Sequence, residues 1–139
     1  MTASPAFIIR TSLCLVIIVS GLALRAFGFS LGLSAFVVKY GGSLLWAAMV
    51  FFLVAIAASH SSRLSVVLIS AVIAVGVELF RLVHAPWLDA FRLTLPGALL
   101  LGRIFSPWNI LAYGVGIGLA VGLDRMALRA FAPASHSAG

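Results

Sequence analysis

The sequence predicts an all-α polytopic membrane protein: four transmembrane helices in a compact bundle, with a short interfacial or re-entrant segment between the third and fourth. Three observations carry this. Of the 139 residues, 63% are hydrophobic and only 9% are charged, where a soluble domain carries about 25%. The mean hydropathy is +1.24, so a water-soluble fold would expose apolar patches large enough to aggregate. Charges also divide the chain into four apolar runs near the roughly 20 residues a spanning helix needs.

The first span is expected over residues 7–27. Its uncharged part, 11–24, is short, so Arg10 and Arg25 are expected to snorkel towards opposite surfaces. The run resembles a signal peptide, but Arg25 stands where small residues would permit cleavage, so an uncleaved span is expected. The second span lies between Lys39 and Arg63, its helical part at 42–58. The third begins at Leu64, passes through Glu78 and ends near His84, because Pro86 disfavours helix at Ala85. The fourth, 104–123, is bounded by Arg103 and Asp124. Ser106-Pro107-Trp108 reads as its start, an N-cap followed by proline at the first helical position. Asp124-Arg125 reads as an ordinary solvated boundary. Residues 1–131 form one domain in this reading, and 132–139 a disordered tail.

The connection 85–107 holds an apolar stretch, 93–102, too short to span and broken by Pro96-Gly97. Trp46, Trp87, Trp108 and Tyr40 fall near span ends, as aromatic belts do. Four spans place both termini on one side. Pairing of Arg81 and Arg92 with nearby acids would tip the balance of basic flanks towards a cytoplasmic N-terminus. The net charge is +6, yet the basic residues are scattered singly and form no stripe, which argues against nucleic acid. The lone Cys14 lies inside the first apolar run and reads as a small buried hydrophobe. No motif for a metal or cofactor is expected.

One segment breaks the apolar pattern. Glu78, Arg81, Asp89 and Arg92 fall within residues 78–92, and two of the three acidic residues are among them. Glu78, Arg81 and His84 follow at three-residue steps and share a helix face. Asp89 and Arg92 repeat the spacing. A charge at bilayer depth costs roughly 2.5–3.5 kcal/mol on insertion scales, so such groups face a bundle interior or a wet cavity. Two readings stay open. The pairs fix the turn between spans, serving register. Alternatively, Arg81, Arg92 and Arg103 bind an anionic group, oriented by Glu78 and Asp89, with Trp87 and Trp108 as interfacial walls and His84 beside them. If the protein were an enzyme, Glu78 or Asp89 would be the candidate base; no catalytic motif is present.

The fourth span carries Gly114, Gly118 and Gly122 at four-residue intervals, with Gly116 and Ala120 as a second small ridge. This spacing allows close helix packing in lipid, expected first against another helix of the same chain. Asn109 and Tyr113, one turn apart, are expected to bond across helices or to line the same pocket as Glu78.

The run from Val77 to Gly122, with Glu78, His84-Ala-Pro-Trp87, Asp89, Arg92, Leu101-Gly102, Phe105, Tyr113 and Gly116, resembles the bacterial membrane family called domain of unknown function 2809. The upstream Lys-Tyr-Gly-Gly-Ser-Leu-Leu-Trp-Ala, beginning at Lys39, fits it too. A more distant likeness is to the VanZ-like family, linked to glycopeptide resistance. The chain departs from the pattern at Arg81, where many relatives resemble Glu-Leu-Ser-Gln-Leu, at Asn109, where many carry Asp, and near Ser43, where many carry another Asp. The resemblance implies a bacterial inner-membrane location but no reaction. The functional expectation is an accessory envelope protein holding an anionic lipid or lipid-linked precursor. The alternatives are an enzyme acting on a lipid-linked substrate, or a structural subunit that uses the glycine ridge to meet a second copy or a membrane-protein partner.

Overall fold

The computed structural model describes residues 2–102 and 104–131. The candidate Arg103 and the expected tail at 132–139 lie outside the described residues. Among the described residues six helices follow in order: α1 Pro5–Phe27, α2 Ala35–Ala57, α3 Arg63–Phe80, α4 Pro86–Arg92, α5 Leu95–Leu100 and α6 Pro107–Ala130. Among the described residues there is no strand. Helices α1, α2, α3 and α6 are long and apolar enough to cross a membrane. At 1.5 Å per residue the 23 residues of α2 reach about 35 Å, and the 18 of α3 about 27 Å, against a hydrocarbon core of about 30 Å.

Local chemistry fixes the helix starts. The side chains of Ser4, Ser34, Ser62 and Thr94 accept from the backbone N–H three residues on, and Pro5, Pro86 and Pro107 occupy first-turn positions where a missing N–H costs nothing. Several limits differ from the sequence reading. Helix α3 stops at Phe80 instead of reaching His84, because the N–H groups of Arg81, Leu82 and Val83 turn back to carbonyls three residues earlier. Helix α2 begins seven residues before Gly42, because Ser34 caps it and Lys39 stays exposed with its ammonium 5.1 Å from the Tyr40 ring centroid. Helix α6 runs on past Leu123 to Ala130, which carries Asp124 inside the bundle.

Helix α2 is the centre of the bundle and packs against α1, α3 and α6. Ala47, Phe51, Phe52 and Ala55 on α2, Ala74 on α3, Ile17 on α1, and Ile117 and Ala120 on α6 form one buried core. Cys14 is buried in this core, as expected for a small hydrophobe. The outward faces stay apolar: Val19, Leu68, Val72 and Leu119 are all exposed. An apolar core beneath an apolar surface is the pattern of a multi-pass membrane protein, with lipid as its solvent.

The two ridges of α6 separate here. Gly116 lies against the Leu44 carbonyl and Ala47 of α2, too close for any side chain. Around Gly114, Gly118 and Gly122, a Cβ would meet nothing within 4 Å. The ridge that packs within the chain is Gly116 and Ala120, and the expected one faces outward.

The segment between α3 and α6 is the short hairpin of α4 and α5. The two helices touch each other, Gly97 lying directly on the Phe91 carbonyl, but neither approaches any long helix within 8 Å between Cα atoms.

Candidate functional site

Helix α3 ends with Glu78 one turn from its C-terminus, and the start of α6 lies against it. The Glu78 carboxylate is wholly buried. Its Oε1 accepts the Ser106 backbone N–H at 2.7 Å and the Asn109 side-chain amide at 3.2 Å. Its Oε2 accepts the Tyr113 hydroxyl at 2.8 Å and meets Arg81 Nη1 at 2.7 Å. The carboxylate therefore serves as an anion at the N-terminus of α6, where backbone donors and the helix dipole favour negative charge. With two donors on each oxygen it is held, and has no open side from which to take a substrate proton. The network reaches α2 through Ser43, whose hydroxyl proton is shared between the Lys39 carbonyl and Asn109 Oδ1, both at 3.1 Å. It reaches the end of α5 through Arg81, which donates from Nε to the Leu101 carbonyl at 2.6 Å. Gly102 follows at φ +69°, a left-handed conformation that favours glycine, and a side chain there would also displace the Arg81 guanidinium.

Asp89 and Arg92 form a second cluster. Arg92 is buried and donates to the Phe80 carbonyl at 2.6 Å, which also accepts the Val83 N–H, and to the Val83 carbonyl at 2.8 Å. It also meets Asp89 at 3.2 Å and lies over the Phe80 ring. His84 Nδ1 stands 3.3 Å from Asp89, with both side chains exposed. The structure thus unites Glu78, Arg81, Asn109 and Tyr113, and places Asp89, Arg92 and His84 apart from them as a staple between α3 and α4. Trp87 and Trp108 are on the outer surface, 72% and 66% exposed.

A cavity of about 380 Å³ adjoins the Glu78 network. It fills the gap left because α5 stands off from α1 and α2. Its polar lining is Arg25, Ser43, Arg81 and Tyr113, with Trp46 beside them, and the remaining wall is largely aliphatic. Trp46 lies 5.4 Å from Tyr113 between ring centroids, and its indole N–H is sealed from solvent with no acceptor. Neither Trp87 nor Trp108 borders this cavity; Trp46 is its aromatic wall.

Sequence reading noted Ser43 only as a departure from the family's pattern, left the Ser106 N–H outside the site, and did not place Arg25 or Trp46 in it. The first two act through positions far along the chain, and no local spacing marks them. It also misread the far end of α6. Asp124 is buried, 1% exposed, and bound bidentately by Arg10, Nε to Oδ1 at 2.8 Å and Nη2 to Oδ2 at 3.1 Å. Arg10 also donates to the Ala55 carbonyl, and Arg63 stands 3.7 Å from Asp124. Arg10 turns inward to this acid instead of snorkelling, because α6 continues deep enough to present it.

The model of the family described as "Protein of unknown function (DUF2809)" matches residues 32–117. The chain belongs to this family. The matched stretch holds every group of the Glu78 network and runs from before α2 to the middle of α6; α1, with Arg10 and Arg25, and Asp124 lie outside it. No solved structure matches the chain.

Proposed function

We propose that this protein is an accessory protein of the bacterial inner membrane, N-terminus inside, that binds the anionic headgroup of a lipid or lipid-linked precursor. The observation that carries the reading is the cavity, apolar over most of its wall and edged by Arg25, Ser43, Arg81 and Tyr113. Its volume suits a small amphiphile. Arginine suits phosphate and carboxylate because it offers paired donors on one plane. In this reading Glu78 positions Arg81 and Tyr113 and does not touch the ligand.

The test is native mass spectrometry of the protein released from its own membrane, beside an Ala98→Trp variant. Ala98 lines the cavity from α5, so the indole fills the space while every network residue stays in place. The wild type is expected to carry an adduct of defined mass that the folded variant lacks. A wild type without an adduct, or a variant that keeps it at equal occupancy, would contradict the reading.

A further inference from the structure

The cavity is polarised along its length. On α1 it is bordered by Ile17, Ile18 and Leu22, and then by Arg25. Eight residues separate Ile17 from Arg25, about 12 Å of helix. Helix α2 runs the other way, so Met49 lies at the apolar end and Ser43 at the polar end. Arg81 ends α3 and Tyr113 lies in the first half of α6, so they join the same polar end.

The cations at this end are not equivalent. Arg81 is neutralised by Glu78 and donates to two carbonyls, Leu101 and Ile104. Arg25 is exposed and has no ion pair or hydrogen bond among the described residues. The Trp46 ring borders the cavity, while its indole N–H is shielded from it. An apolar gap within the bilayer is filled, since empty space forfeits dispersion contacts on every wall. Acyl chains are the material at hand.

We infer that the cavity seats one acyl chain of a phospholipid and that Arg25 holds its phosphate. The chain lies along the aliphatic side of α1 beneath α5, against the Trp46 ring. This rests on the reading that the cavity takes an anionic amphiphile, and it adds the ligand class and the residue that grips it. Arg25 lies on α1, before the stretch that the family model matches, so the grip is supplied from outside that stretch.

The test uses the full chain, delipidated in detergent, with Trp87→Phe and Trp108→Phe leaving Trp46 as the sole indole. Phosphatidylglycerol brominated on its acyl chains is expected to quench Trp46 and to saturate at one lipid per chain. Brominated diacylglycerol, which lacks the phosphate, is expected to bind about tenfold more weakly, the worth of one good ionic contact. Arg25→Gln should remove that tenfold preference without lowering the unfolding temperature, because nothing in the fold rests on Arg25. Inorganic phosphate at matched ionic strength should not displace the lipid. If Arg25→Gln keeps the preference while Ala98→Trp abolishes quenching, the cavity binds the amphiphile but Arg25 is not its ligand, and this inference fails alone. If phosphatidylglycerol does not quench Trp46 at all, the inference and the reading beneath it fall together. Displacement by phosphate would overturn the choice of a lipid.

Discussion

At the residue scale, the buried Glu78–Arg81 pair decides how the bundle end is built. Removing one partner of a buried pair leaves an uncompensated charge and costs about 3–5 kcal/mol, whereas replacing both by apolar groups is often close to neutral. Glu78→Ala is therefore expected to lower the unfolding temperature sharply in detergent, as followed by circular dichroism. Glu78→Leu combined with Arg81→Met should recover most of the loss. A double variant as unstable as the single one would mean that Ser106, Asn109 and Tyr113 depend on the carboxylate more than Arg81 does. The i,i+3 spacing of Glu78 and Arg81 made the pair legible in the sequence. The sequence also offers Asn109 and Tyr113 for the same pocket as Glu78, but not the Ser106 N–H, a backbone donor 28 residues away that no side chain marks. Asn109 and Tyr113 could be named as polar residues on an apolar helix, but only the packing of α3 on α6 shows that they meet Glu78.

At the element scale, α6 carries two ridges of small residues that the sequence alone does not rank. Both have the spacing for close packing, and the choice between them is made by α2, which presents Leu44 and Ala47 to Gly116. Gly116→Leu is expected to push α2 and α6 apart at a cost of at least about 1–3 kcal/mol, the range for overpacked cores. Gly118→Leu meets open space and is expected to leave the unfolding temperature unchanged or slightly raised, since leucine favours helix by roughly 0.5–1 kcal/mol over glycine. Equal destabilisation by the two changes would contradict the assignment of faces. The α4–α5 hairpin was legible as a break at Pro86 and Pro96. Its stand-off from the long helices was not, because no residue pattern marks a gap.

For the whole molecule, each end of the bundle is fastened by a buried carboxylate bound to arginine. At one end Glu78 gathers α3, α6, α2 and the close of α5. At the other, Asp124 gathers α1, α6, the Ala55 carbonyl of α2 and Arg63 of α3. Tyr113 and Asp124 are 11 residues apart on α6, about 16 Å. Asp124 was read as a surface residue because its neighbour Arg125 offered an obvious solvated pair. Adjacent helix positions do not face each other, and the true partner lies 114 residues away. Asp124→Asn should cost up to about 3 kcal/mol by leaving the partly buried Arg10 beside a neutral amide, with adduct occupancy in native mass spectrometry unchanged in the folded fraction. Loss of the adduct from folded Asp124→Asn would tie the two ends together, which the separation argues against.

Between these two fastenings the cavity under α5 is the feature that sets binding apart from mere assembly. The most direct measurement is a crystal structure of the protein grown with its own membrane lipids. The account predicts elongated density along Ile17, Ile18 and Met49, ending in a polar group between Arg25 and Arg81. A hairpin collapsed onto α1 and α2, with the gap closed and Arg25 turned to solvent, would contradict it.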